Sequence, residues 1–154
     1  MIIGIDPGNT GAVAALSNQG EFDYVGDIPL WQEGKKSIID GAKLAITLKN
    51  SSWDLSVYLE KVHAMPNQGV TSMFNFGQGY GIIKGVLGCL GYDYTLVTPQ
   101  AWKKHHGLLK TDKDAARLKA IELFPEAEQY LQRKKDIGRA DALLIAAYGY
   151  SLEN

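Results

Sequence analysis

Apolar residues at consecutive positions open the chain. Ile2-Ile3-Gly4-Ile5 is too continuous for a half-exposed strand and predicts a short central strand covered on both faces, ending at Asp6. Pro7-Gly8-Asn9 supplies turn chemistry, after which Gly11–Leu16 and Phe22–Val25 predict two more strands, the first closed by Asn18-Gln19-Gly20. Three consecutive strands joined by tight turns make an antiparallel meander. From Lys36 the spacing becomes helical, with Ile38, Ile39, Ala42, Ala45, Ile46 and Leu48 recurring at helical intervals as far as about Asn50. Leu55, Val57 and Leu59 then alternate with Ser56, Tyr58 and Glu60, which is strand periodicity with Glu60 at the C-terminal end on the less apolar face.

Pro66-Asn67-Gln68-Gly69 breaks the chain before a long helical segment that ends near Leu90. Gly77, Gly81, Gly85 and Gly88 form one nearly side-chain-free stripe along it, which predicts close approach of either the sheet or a partner helix. Asn75, Gln78 and Lys84 interrupt the segment and exclude a membrane reading of the stripe. Tyr92–Val97 is a fifth strand, closed by Thr98-Pro99, and helices follow at about 99–106, 112–124 and 139–152. Pro125 ends the second of these, and Gln132-Arg133-Lys134-Lys135 forms a basic connection into the last. The order β-β-β-α-β-α-β followed by helices, without repeat or linker, predicts one α/β domain over residues 1–154.

Composition narrows the function. Sixteen Lys and Arg against 17 Asp and Glu give a net charge of −1, so the total does not describe a strongly basic nucleic-acid binder. The charge is unevenly spread. Residues 1–98 hold six lysines and nine acids, whereas residues 99–139 hold ten Lys and Arg and six acids, a basic segment that suits an anionic partner or a solvated helix face. One cysteine, Cys89, excludes an internal disulfide framework and a multi-Cys zinc site, and fits a reducing cytoplasm. Met1-Ile2-Ile3-Gly4-Ile5-Asp6 has no basic n-region, and no apolar run reaches the roughly 18 residues of a membrane span, so a cytoplasmic protein without membrane attachment is expected.

The carboxylates carry the candidate chemistry. Asp6 and Glu60 each end a strand, where a sheet presents side chains to a crevice. Asp141 shares a helix stripe with Leu144, Ile145 and Tyr148 and therefore points inward, where a lone carboxylate needs a partner or a cation. Asp136, just before that helix, could swing to the same place. Singly each has an ordinary role: Asp6 starting a turn, Glu60 pairing with Lys61, Asp141 complementing a helix N-terminus, Asp136 capping it. Jointly, acids from separate elements at one sheet edge would repel unless hard divalent ions sat between them, and Mg²⁺ is the natural candidate. Such a site suits two-metal phosphodiester hydrolysis, one ion activating water and the other stabilising the leaving oxygen.

Ile3-Gly-Ile-Asp-Pro-Gly8, Leu59-Glu-Lys-Val62, Phe76-Gly-Gln-Gly-Tyr-Gly81, Thr98-Pro-Gln-Ala-Trp-Lys103 and Arg139-Ala-Asp-Ala-Leu-Leu-Ile-Ala146 occur in the order and approximate spacing of RuvC-like Holliday junction resolvases. The chain resembles the compact phage-type members of that family over nearly its whole length. The resemblance implies an RNase H-like fold with a central mixed five-stranded sheet flanked by helices. It also implies a homodimer that nicks four-way DNA junctions symmetrically, with two Mg²⁺ ions per site, replaceable by Mn²⁺, leaving a 5′-phosphate and a 3′-hydroxyl. Asp6, Glu60 and Asp141 match the family's metal-binding carboxylates. The bacterial pattern puts a fourth acid where this chain has Gly138, and Asp136 is the nearest substitute.

Lys103 and Lys113 fall where the family places basic residues near the scissile phosphate, with Lys104 and Lys110 as adjacent alternatives or ordinary surface lysines. His63 stands where members often carry a base-stacking aromatic residue, so it is expected to stack, contact a phosphate or lie idle. Phe74 and Phe76, on the helix resembling the family's dimer helix, are expected in an interface, and Trp102 in the core. Other readings stay open: a broader branched-DNA nuclease, a noncatalytic junction-binding protein, or a sugar-kinase or actin type enzyme using Asp6-Pro-Gly-Asn-Thr10 as a phosphate loop.

Overall fold

The structure is a computed structural model that describes residues 1–49, 55–64 and 66–154. In chain order its strands are β1 (Ile2–Asp6), β2 (Ala12–Leu16), β3 (Phe22–Asp27), β4 (Leu30–Glu33), β5 (Lys36–Ile39), β6 (Ser56–Glu60) and β7 (Tyr94–Val97). The helices are α1 (Gly41–Lys49), α2 (Val70–Leu90), α3 (Pro99–His105), α4 (Ala115–Leu123) and α5 (Ile137–Glu153), with short 3₁₀ turns at Pro125–Tyr130 and Lys134–Asp136.

Five strands form one sheet in the order β3-β2-β1-β6-β7. The meander β1-β2-β3 is antiparallel, while β6 and β7 run parallel to β1, so the sheet is mixed as expected. The fully apolar start of the chain is explained by its place: β1 is the middle strand, and Ile2, Ile3 and Ile5 are at most 3% exposed. The parallel strands require crossovers, supplied by α1 between the meander and β6 and by α2 between β6 and β7.

Strand alternation sorts the apolar residues into two cores. Ile3, Ile5, Val57 and Leu59 pack with Leu44, Leu48, Ile83 and Leu87 of α1 and α2. Ile2, Ala14, Leu16 and Tyr58 face the other way, toward Trp102, Ala120, Leu143 and Ala146 of α3, α4 and α5. Cys89 is an exposed free thiol.

One expectation is corrected, and one of two open alternatives falls away. Residues 36–39 are a strand and not the start of a helix: β4 and β5 form a separate hairpin, with Leu30 opposite Ile39, around a turn in which Gly34 takes a φ of 62°. The helix begins after Asp40, whose Oδ1 accepts from the Lys43 amide at 3.0 Å, and the end expected at Asn50 lies outside the described residues. The glycine stripe of α2 does not face the sheet. A Cβ built at Gly77, Gly81, Gly85 or Gly88 meets nothing within 4 Å, and the sheet-side face of α2 is Gly79, Ile83 and Leu87.

Candidate active site

The alternation that sorts the cores also decides which carboxylates meet. Ile3 and Ile5 lie beneath α1 and α2, so Ile2, Gly4 and Asp6 lie on the α5 side of β1. On β6 the same logic puts Tyr58 and Glu60 on the α5 side. The parallel register Ile5 to Leu59 then brings Asp6 and Glu60 side by side at the C-terminal ends of adjacent strands. Asp141 arrives from above. A Cβ at Gly4 would stand 2.2 Å from the Ala142 carbonyl oxygen and 2.5 Å from the Ala146 nitrogen, so α5 rests on β1 backbone to backbone, and Asp141 immediately precedes that contact.

The charges in this corner are under-compensated. Burial pushes the Asp6 carboxyl well above the usual carboxylate range, and the Asp141 and Glu60 carboxylates push it further. Asp141 is raised to about 7, again chiefly by burial, and Glu60 is raised for the same reason. Lys103 draws all three back down, and the Trp102 hydrogen bond lowers Glu60. Asp141 Oδ1 is buried without a hydrogen-bond partner, alone in this among the described side chains. A buried carboxylate oxygen with no donor is an acceptor in want of a cation.

The donor set fits a hard divalent ion in character but not as a finished cage. Among the described residues no three His, Cys, Asp or Glu side chains stand close enough to hold a metal by themselves. Mg²⁺ does not require such a cage, since it usually binds through one or two carboxylates and completes its shell with waters and substrate phosphates. Mutual repulsion keeps like charges apart until a cation joins them.

The Thr98-Pro-Gln-Ala-Trp-Lys103 segment closes the corner. Thr98 caps α3 by accepting from the Ala101 amide at 3.2 Å, and Pro99 occupies the first turn, where its missing N–H costs nothing. This start turns Trp102 inward, fully buried, with its indole N–H donating to Glu60 Oε1 at 2.9 Å. Lys103 follows, its Nζ lying 5.1 Å from the Trp102 ring centroid. Lys103, Thr111, Asp112, Lys113 and Asp141 line a cleft of about 300 Å³ on the Asp141 side of this corner.

No family model matches the chain. A solved structure of Thermus thermophilus RuvC in complex with a Holliday junction substrate superimposes with a TM-score of 0.62 at 15% identity, covering 99% of this chain and 96% of that one. A second structure of Thermus thermophilus RuvC gives 0.55 at 16% identity, covering 99% and 95%. This chain has the RuvC fold. In sequence, 96 residues are 35% identical to the chloroplastic Holliday junction resolvase MOC1 of Chlamydomonas reinhardtii, a match over 59% of this chain. The chain spans about a tenth of the length of that relative, 10%.

Within this fold Asp6, Glu60 and Asp141 share one corner with Lys103, and Lys113 lines the cleft with Lys103 and Asp141. Asp136 is the correction. Its carboxylate is 5% exposed and is taken up by Arg133, whose Nη2 donates to Oδ1 at 2.7 Å and whose backbone N–H donates to Oδ2 at 2.9 Å. These bonds hold Asp136 below the usual carboxylate range, and the charges that act on it are those of Arg133 and Arg139, not those of Asp6, Glu60 or Asp141. The position itself is committed to ending a 3₁₀ turn and starting α5.

Gly138 cannot carry a fourth ligand either. A Cβ there would fall 2.2 Å from the Thr10 carbonyl oxygen and 3.3 Å from Asp6 Oδ2, so the turn after β1 occupies that space. His63 lines a separate recess of about 220 Å³ with Val62, Met73, Phe76 and Tyr80, beyond the end of β6. Lys104 and Lys110 are exposed and lie outside the 300 Å³ cleft. Phe74 and Phe76 are 72% and 40% exposed on α2.

Trp102 and Gly138 are the residues that the sequence reading undervalued. The first looked like core and is core, but its one polar atom is spent on Glu60. The second signals itself only as an absence, a glycine early in a helix, where it costs stability unless something approaches closely.

Proposed function

We propose that this protein is a structure-specific endonuclease that resolves four-way DNA junctions by paired, divalent-metal-dependent nicks. The observation that carries the reading is the set of Asp6, Glu60 and Asp141, partly buried at one sheet edge, raised by burial and mutual repulsion, and offset by Lys103. The RuvC fold and the kinship with a chloroplastic Holliday junction resolvase support the substrate class.

Asp6, Glu60 and Asp141 would hold Mg²⁺, two ions per site, with Mn²⁺ as substitute. Bound there, the ions supply activation of the attacking water and charge stabilisation of the departing 3′-oxygen. The chain's own residues do the rest. Asp6 faces both other acids from the central strand, Lys103 and Lys113 line the cleft through which a phosphate would reach them, and the basic stretch from Lys103 to Arg139 meets flanking phosphates. Phosphate contacts carry little sequence information, so branch geometry governs binding. Two copies related by a twofold axis present two sites to two strands of like polarity, and the open glycine face of α2, flanked by exposed Phe74, is the surface on which a second copy seats.

The test is a synthetic four-way junction, a fork and a plain duplex, each incubated with and without Mg²⁺. Wild type should nick the junction in symmetric pairs only with the metal. Asp6→Asn should abolish nicking and leave junction binding intact. Tight binding with no metal-dependent nicking by wild type establishes the noncatalytic reading instead, and full cleavage by Asp6→Asn removes the metal-carboxylate reading.

A further inference from the structure

We propose that Trp102 is a positioning residue, holding Glu60 with the edge of its indole and Lys103 with the face. The proposal rests on the reading of the site as a metal-dependent nuclease centre and adds to it a residue with no chemistry of its own.

The geometry is specific. Trp102 is 0% exposed and comes from α3, while Glu60 ends β6, 42 positions earlier in the chain, so the 2.9 Å bond ties two elements together. An indole has one donor and no acceptor, and burial obliges that donor to find a partner. Glu60 in turn has a flexible side chain whose ordering costs rotamer entropy. The bond fixes Oε1 during folding and leaves Oε2 as the oxygen for a cation, so the carboxylate is oriented before any ligand arrives.

The same ring places the counter-charge. Lys103 Nζ sits 5.1 Å from the Trp102 centroid, and Lys103 is the cation that acts on Asp6, Glu60 and Asp141 together. A phenylalanine in this place offers a face without a donor, and a histidine offers a donor without the area. The indole meets Glu60 through its N–H and Lys103 through its face at once.

The experiment replaces Trp102 site-specifically by its benzothiophene isostere, in which sulfur stands for the N–H, so shape and ring face are kept and the donor alone is lost. The first readout is the indole N–H region of ¹H–¹⁵N spectra of the full chain, where the signal missing from the isostere belongs to Trp102. In wild type that signal should shift on addition of Mg²⁺ and shift again in Glu60→Gln. The second readout is junction nicking: the isostere should raise the half-saturating Mg²⁺ concentration at least fivefold with junction affinity unchanged.

A Trp102 signal indifferent to Glu60→Gln, or an isostere with wild-type Mg²⁺ dependence, overturns the proposal. If wild type nicks no junction, the nuclease reading fails separately, and the response of the Trp102 signal to Mg²⁺ and to Glu60→Gln still decides whether the indole holds a metal-binding carboxylate.

Discussion

Asp136 and Asp141 stand five positions apart at the same end of α5, and their surroundings have opposite signs. Asp136 is wrapped by Arg133, and the adjoining pair Asp27 and Arg139 is bonded in parallel at 2.6 and 2.7 Å, so this rim is a closed network of acids matched to guanidinium groups. Asp141 has a buried oxygen with no partner, two other carboxylates near it and one lysine between them. A charge that has been satisfied is doing structural duty. One that has been buried unsatisfied, beside others of its kind, is being kept for something that is not part of the chain.

The largest effect should separate the two acids by activity. Asp141→Asn is expected to lower junction nicking by about a thousandfold or more, the scale of losing a transition-state contact worth several kcal/mol, whereas Asp136→Asn should stay within about threefold of wild type. Single-turnover nicking rates check this. A comparable loss in Asp136→Asn would return it to the ligand set.

Gly138, between them, tests the backbone. Gly138→Ala forces a methyl toward the Thr10 carbonyl and should cost about 2–3 kcal/mol in denaturant unfolding, with nicking lost because the Asp6 turn must shift. Free tolerance of alanine would mean that the turn after β1 yields to the helix.

Next comes stability against pH without metal. Asp141 has a folded pKa of about 7, above its unfolded value, so between the two the native state holds a proton that the unfolded state releases. Its contribution is therefore favourable at acid pH, falls as pH rises through that window, and is a net cost above pH 7. Asp141→Asn should raise the Tm at pH 8 and leave it nearly unchanged at pH 4. Asp136, lowered by Arg133, has the reverse sign: it stabilises above its unfolded value and loses that as pH falls through its folded pKa. Asp136→Asn should cost about 1–2 kcal/mol at pH 7 and nothing in strong acid. Thermal melts of both variants across pH would show two curves of opposite slope.

The smallest effect concerns the free cations. Lys103→Ala should flatten the dependence of log junction affinity on log salt by about one, as should Lys113→Ala, since each loss removes one phosphate contact. An unchanged slope places that lysine away from DNA.

The five strands of the sheet and the placing of the three carboxylates were legible because local rules sufficed: strand alternation put Glu60 on a face, and helical spacing put Asp141 inward, whereas the mixed pairing of the strands followed only from the family resemblance. The β4-β5 hairpin was not, because Ile38 and Ile39 end a strand at a spacing that runs without a break into Ala42 and Ala45 of α1; Asp40, a capping residue between them, was the signal that divides the two. The glycine stripe had a period but no direction, and the richer apolar row Gly79, Ile83 and Leu87 was the one that faces the sheet. Asp136 was misplaced because carboxylates look alike in sequence, although Arg133 three positions earlier is at pairing distance for a turn. Trp102 to Glu60 depends on tertiary folding alone.

The central place of β1 has a consequence for failure as well as for function. Ile3, Gly4 and Ile5 are paired on both sides, so their amides should be among the slowest in the molecule to exchange with solvent, opening only when the whole sheet opens. A half-folded copy therefore retains no part of the site, because Asp6 ends that same strand. The corner that gathers Asp6, Glu60 and Asp141 exists only while the entire architecture does.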